Sequence, residues 1–437
     1  MNPIYLDNNA TTRLASEVLE AMLPYLCDLY GNPSSAHRLG QESRHGIDEA
    51  RARVAGLINC SPAELIFTSG GTESINAAIR GLYRARPLRP RVITSTVEHS
   101  ATRGVCQMLK AEGCEIVEIP VDHAGQLDLD RLRGEVDDRS ALVSIMWVNN
   151  ETGVILQVPQ IAEICRAARV PFHCDATQAI GKIAVNVRAA GVDAASFAAH
   201  KFHGPKGVGG LYVRRGTRLA TMIVGGPQEL TRRGGTENLP GIIGMGKAAE
   251  LAQAHLADMP RVAALRDHLE SEILRTISDT AVNGSTHPAI PNSGADSGYN
   301  SSRLPNSGAN SSRLPDSGAD FSRLPDSGAD FSRLSPSSST DLRVPNTTNI
   351  GFARLEAEAI LLLLSERGIY ASAGAACSSG SLEASHVLQA MKIDPHLAHG
   401  AIRFSLSRYT TDDEIQQTLA TLPGTIERLR KTLPPTL

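Results

Sequence analysis

The chain has 437 residues, 41% of them apolar, and 43 basic against 46 acidic side chains leave a net charge of −3. That length exceeds one ordinary domain, and the mixed charge excludes the basic stripe of a nucleic-acid binder or a polybasic membrane surface. Seven cysteines, at 27, 60, 106, 114, 165, 174 and 377, show no C-x-x-C spacing, which argues against a disulfide framework or a structural zinc site and for a reducing cytoplasm. The opening MNPIYLDNNATT has no apolar h-region, so no signal peptide is expected. The longest apolar run, 359–364, is far short of the ~18 residues that span a bilayer.

In chain order, Leu14, Val18, Met22, Tyr25 and Leu29 share one face of a first helix, which Pro24 should kink. Ile47, Val54, Leu57 and Ile58 mark a second helix. From Leu65 to Val213 short apolar runs alternate with helical patterns: 65–68, 91–96, 141–148, 171–175 and 194–198 read as strands, followed by GGLYVRR. Strands that are apolar throughout and separated by helices predict an α/β fold, with a mainly parallel central sheet and helices on both faces. In such sheets chemistry collects at the carboxyl ends of the strands. A helical stretch follows from about Met245 toward Ile277.

Between 291 and 343 a ten-residue unit, PDSGADFSRL and its variants, recurs. Its Ser, Gly, Pro and Asp cannot bury enough surface to offset ordering entropy, so a disordered insertion is expected. VPNTTNIGF (344–352) resumes a strand pattern. Thr411-Asp-Asp-Glu414 is a capping box, opening a terminal helix with Ile415, Leu419, Leu422, Ile426, Leu429 and Leu433 as its apolar stripe. The division read from this is an N-terminal arm (1–12), a large domain (13–245) and a smaller α+β domain (246–437) that the insertion interrupts.

FAAHKFHGPKGVGGLYV (197–213) ends an apolar run on Lys201, between His200 and His203 and ahead of a Gly/Pro-rich turn. A lysine alone could be structural, its stem lying along a sheet edge. A desolvated amine can also form a Schiff base with a carbonyl, and pyridoxal phosphate is the common case. That cofactor needs backbone N–H groups at a helix start, which Ser69-Gly70-Gly71-Thr72 supplies. It needs a carboxylate for its ring nitrogen, which Asp175 supplies, and a polar partner for its ring oxygen, which Gln178 supplies. Each part follows a strand.

The sequence resembles the cysteine desulfurases of the class V aminotransferase family, and among them the NifS type. YLDNNATT (5–12), GNPSSAH (31–37), FTSGGTES (67–74), EHSA (98–101), VNNETG (148–153), DATQAIGK (175–182), HKFHGPKGVGGLYV (200–213), RRGGTEN (232–238), ACSSGSLEASHVL (376–388) and HGAIRFSLSRYT (399–410) carry the resemblance. It covers nearly everything except the repeats. It implies the pyridoxal-phosphate transferase fold of type I, with Lys201 holding the cofactor, Asp175 on its ring nitrogen, and His99 stacked on the ring and moving protons. Gln178 and Asn150 would bond the ring oxygen. Gly71, Thr72 and His200 would hold the phosphate, joined by Thr236 of a second subunit in a homodimer. Arg403 would clamp the substrate carboxylate, with Asn32 near the substrate. Ala198 stands where the family often has a serine that touches the phosphate.

Cys377, among very small residues, reads either as a tight core turn or as a nucleophile on a loop; the resemblance implies the second. It would attack the sulfur of L-cysteine, giving alanine and a persulfide that passes to an iron–sulfur scaffold. Cys377 would transiently share a nascent cluster with that scaffold. NNATT, RRGGTEN and GSLEASH point to the nitrogen-fixation branch with a NifU-type scaffold, rather than the housekeeping branch. An aminotransferase or selenocysteine lyase on the same fold is the nearest alternative, and a catalytically dead scaffold is the alternative from another class.

Overall fold

The computed structural model describes residues 3–284, 342–374 and 384–432. Cys377, Leu433 and nearly all of the repeat segment lie outside the described residues.

Seven strands form the central sheet, in the spatial order Leu65–Thr68, Gly209–Val213, Ala194–Ala198, Phe172–Asp175, Ser140–Ser144, Arg91–Ser95 and Glu115–Ile119. Five run parallel from Ala194–Ala198 to the far edge. Gly209–Val213 alone is antiparallel to both of its neighbours. Every residue of the inner strands is buried, which is why they read as unbroken apolar runs. The edge strand Glu115–Ile119 escapes such a reading because Glu115 and Glu118 interrupt it and most of it is only half-buried.

The 141–148 run is a strand only to Ser144. Beyond it the Ile145 and Trp147 N–H groups still donate to the carbonyls of His173 and Asp175, so the chain stays beside its neighbour as it turns toward Asn149 and Asn150. Pro24 lies inside the helix Ser16–Cys27 without ending it. Val18 is that helix's buried residue, while Leu19, Leu23 and Leu26 are exposed. The helix Arg38–Ile58 buries Ile47, Val54, Leu57 and Ile58 as their spacing requires.

A second, antiparallel sheet places Thr347–Phe352 between Ala401–Ser405 and Thr280–Val282. Its core is shared with the helices Met259–Thr276, Ala357–Glu366 and Asp412–Arg430. The capping box is complete: Thr411 N–H donates to Glu414 Oε2 and Glu414 N–H to Thr411 Oγ1. Ile4 and Leu6 belong to this core although they open the chain. Ile4–Tyr5 pairs in parallel with Ile369–Tyr370, and Leu6 is wholly buried, worth ~2 kcal/mol as apolar area removed from water. The Leu342 carbonyl accepts from Ile155 N–H and Arg343 pairs with Glu270 at 2.8 Å. The insertion as bounded at 343 therefore takes in two residues that hold fold contacts.

Candidate active site

The strand Leu65–Thr68 runs through Ser69-Gly70 into the helix Gly71–Arg84. Thr68 Oγ1 lies 2.7 Å from Ser74 Oγ, and Glu73 Oε2 accepts from Ser69 N–H, so the turn is tied from within. A cleft of about 310 Å³ opens at this helix start, lined by Thr11, Ser69–Thr72, His200 and Lys206. Unpaired N–H groups and the helix dipole make such a place receptive to an anion. The strand behind it must be glycine. A Cβ at Gly209 would stand 2.6–2.7 Å from Gly70 backbone atoms, and one at Gly210 would enter the Phe197 ring at 2.4 Å. That is the reason for the glycines that follow the lysine. Sequence reasoning named Gly71, Thr72 and His200 here but missed Thr11 and Lys206, whose one signal is their place inside NNATT and HGPKG. Thr236 is exposed and is not among the residues lining the cleft.

His200 Nδ1 is 3.1 Å from Thr11 Oγ1. Burial, with Lys201 and Lys206 adding, lowers its pKa to about 4, so it is neutral at pH 7 until an anion arrives. Lys201 closes the short turn Ala199–Lys201, and its Nζ donates to the carbonyls of Asn9 at 2.6 Å and Ala10 at 2.8 Å. Asp175 ends its strand, buried, with Oδ1 accepting from Thr177 N–H. His99 caps the helix Ser100–Ala111, its Nδ1 accepting from Ala101 N–H at 3.2 Å. Burial lowers the His99 pKa; the charge of Asp175 opposes this and that of Lys201 adds to it, so the three groups sit within one another's field. With Nδ1 used as an acceptor, the neutral ring carries its proton on Nε2.

Gln178 and Asn150 meet through a residue the sequence did not single out, Asn9. The Asn9 carbonyl accepts from Gln178 Nε2 at 2.9 Å, and Asn9 Nδ2 donates to the Asn150 carbonyl at 3.2 Å. Asn9 Oδ1 accepts from Lys182 Nζ at 2.8 Å, and Lys182 Nζ also donates to Gln178 Oε1. Lys182 is buried; desolvation, then Lys201 and Arg403, push it well below the ordinary lysine range.

Arg403, at the centre of Ala401–Ser405, is 2% exposed. Its Nη1 donates to the carbonyls of Asn150 and Gly374, and its Nη2 to Asp7 Oδ1 at 2.6 Å. Its Nε is a buried donor without a partner among the described residues, leaving one edge of the fork short of an acceptor. Glu151 Oε2 accepts from Ser385 Oγ, and His386 Nε2 faces the Glu98 carbonyl at 3.1 Å. Gly374 and Ser385, on either side of Cys377 in the chain, thus reach Arg403 and Glu151. Asn32 stands apart: it is exposed, and its Oδ1 accepts from Ser34 N–H in its own loop.

Lys201, Gln178, Asn150 and Arg403 are thus linked directly or through Asn9, Asp175 and His99 lie within the electrostatic reach of Lys201, and the anion cleft is beside it. An amine, a buried carboxylate, an imidazole and a cradle for an anion are what pyridoxal phosphate requires. Thr177 Oγ1, buried without a partner among the described residues, sits 3.5 Å from where a Gly71 Cβ would be, beside Ala198, so the cradle keeps a spare hydroxyl where the sequence lacks the expected serine. The residues fit the cofactor. Among the described residues no group of three or more His, Cys, Asp or Glu could hold a metal ion, and no helix is long and apolar enough to cross a membrane.

The class-V aminotransferase family model matches residues 4–293 and 331–418. A cysteine desulfurase of Trichormus variabilis is 45% identical over 99% of this chain and 96% of its own length. A cysteine desulfurase of Klebsiella pneumoniae is 43% identical over 99% and 95%. A solved NifS-like protein, 33% identical, superposes with a TM-score of 0.81 over 98% of this chain and all of its own.

Proposed function

The chain belongs to the class-V aminotransferase family, as a pyridoxal-phosphate-dependent cysteine desulfurase, and on that premise we propose how its own residues divide the work. Bound pyridoxal phosphate supplies an electron sink for the amino acid's Cα and Cβ. Gly71 and Thr72, with His200 and the neighbouring Thr11 and Lys206, hold its phosphate. Asp175 keeps the ring nitrogen protonated, and Gln178 and Asn150 face the ring oxygen. Lys201 holds the cofactor covalently and moves the Cα proton. His99 passes protons through Nε2, since Nδ1 is committed to Ala101 N–H. Arg403 receives the substrate carboxylate on the edge that carries its unpartnered Nε.

The Cys377 thiolate attacks the sulfur of L-cysteine. An S–S bond forms as the substrate C–S bond breaks, and the carbon takes up a proton and leaves as alanine. The sulfur remains as a persulfide on Cys377. We read its destination as iron–sulfur cluster assembly on a scaffold of the NifU type, for nitrogenase rather than for housekeeping; NNATT, RRGGTEN and GSLEASH support this. The working unit is read as a cytoplasmic homodimer in which Thr236 of the second copy completes the phosphate site. The chain is read as an arm, a large cofactor domain and a smaller C-terminal domain, with Asn32 kept as a weaker candidate near the substrate.

The observation that carries the residue roles is the convergence on Lys201 of a carboxylate, a proton-shuttling imidazole and an anion cradle. The test is Cys377→Ala. The variant stays yellow and its spectrum still responds to L-cysteine, while persulfide, sulfide and alanine fail to accumulate, a loss at the chemical step. Wild-type release of alanine and sulfide overturns the persulfide route and leaves a lyase.

A further inference from the structure

Asn9, Lys182 and Gln178 form a closed ring of hydrogen bonds whose directions are fixed. Asn9 Nδ2 faces the Asn150 carbonyl, which can only accept, so Oδ1 is the atom that faces Lys182 and Asn346 Nδ2. Gln178 Nε2 faces the Asn9 carbonyl, again acceptor-only, so its Oε1 is the atom that faces Lys182 Nζ. Lys182 thus gives one hydrogen to each of two oxygens, and even an uncharged amine retains two. Lys182 is 6% exposed and Asn9 2%, so water does not take over either bond.

The second Nε2 hydrogen of Gln178 has no acceptor among the described residues. It is aimed by the same ring, because turning the amide over would set Nε2 against Lys182 and Oε1 against a carbonyl. A freely turning glutamine would offer a cofactor oxygen either a hydrogen or a lone pair; here it offers a hydrogen.

We propose that Lys182 is a positioning residue: with Asn9 it locks the Gln178 amide in the orientation that donates to the cofactor's ring oxygen, without itself touching the cofactor. The inference rests on the reading of Gln178 as the ring-oxygen partner. It explains why an amine is buried four residues beyond Gln178, and why NNATT must reach so far into the site.

The test uses the full chain loaded with pyridoxal phosphate and reads the visible band, its pH midpoint and the cofactor affinity of the apoprotein. Gln178→Ala displaces the midpoint and weakens cofactor binding by about fivefold to tenfold, the loss of one hydrogen bond to a charged oxygen. Lys182→Met displaces the midpoint in the same direction. The double variant goes no further than Gln178→Ala, since Lys182 acts only through that amide. If Gln178→Ala leaves the band unchanged, the reading of Gln178 fails. If Gln178→Ala shifts it and Lys182→Met does not, or if the two effects add, the lock is refuted. Should Lys182→Met not fold, Asn9→Ala removes the ring at its other corner and keeps the main-chain carbonyl. It predicts the same shift, and an unshifted band there refutes the lock as well.

Discussion

The cradle at 68–72 and the N-terminal segment at 4–12 border the same cleft and are built by opposite means. The bonds that shape the cradle are local, Thr68 to Ser74, Ser69 to Glu73, Ser74 to Gly70. Those of Asn9 reach Asn150, Gln178, Lys182, Thr347 and Ser405. One strand–turn–helix unit shapes the turn of the cleft, which Thr11, His200 and Lys206 then join. The half that holds the lysine exists only when distant parts of the chain have come together.

Lys201 is where the two halves meet, and its loss has the largest effect. Lys201→Ala removes the yellow band and lowers turnover by roughly 10³-fold or more while the chain still folds, as absorbance and an alanine assay would show. A retained band would place the covalent attachment elsewhere. Next comes Gly209→Val, whose Cβ would lie 2.6 Å from the Gly70 backbone. It breaks the local half by overpacking and costs about 3 kcal/mol in denaturant unfolding.

Leu6→Ala acts on the long-range half. It costs ~2–4 kcal/mol as a buried cavity and also loosens the cofactor, because Asp7, Asn8 and Asn9 follow directly. Val54→Ala, equally buried in the larger core, lowers stability but leaves cofactor affinity alone. If both variants loosen the cofactor equally, the distinction between the halves fails.

Glu98 is smaller in effect and subtler. Burial raises it from 4.5 to about 8, with Ser95 Oγ and Met146 N–H on Oε1 only partly opposing. Between those values the folded chain keeps a proton that the unfolded chain has released, so this contribution to stability is lost as pH rises from 4.5 toward about 8. Glu98→Gln cannot ionise and should melt without that slope. Parallel pH profiles for the two proteins would show that Glu98 titrates normally. The smallest effect is expected from deleting 287–341 while keeping Leu342 and Arg343. Loop closure costs change by only ~0.6 kcal/mol per doubling of length, so folding and turnover stay near wild type. An inactive deletion would give the repeats a role.

The same division explains what could be read in advance. The inner strands, the glycine turn, Asp175, His99 and Lys201 follow from local runs and from strand ends, because burial on both faces leaves an unbroken apolar signature. The capping box at Thr411 was legible because its two reciprocal bonds join residues three apart. The edge strand Glu115–Ile119 was not, since two glutamates interrupt it and most of it is only half-buried. Asn9, Lys182 and Thr11 were quoted inside motifs but not singled out, because their roles depend on partners that no local pattern announces. Asn32 shows the converse: it sits in a motif, yet its side chain serves its own loop.

Because Ile4–Tyr5 pairs with Ile369–Tyr370, and Asn9 with Ser405, the segment 4–9 waits for partners made up to 396 residues later. At ~5–20 residues per second that delay is roughly 20–80 s. Through it the Asn9 and Ala10 carbonyls that will hold the Lys201 amine have no fixed place. The order of synthesis therefore makes cofactor capture a post-translational event, and a nascent chain stalled before residue 405 should not turn yellow.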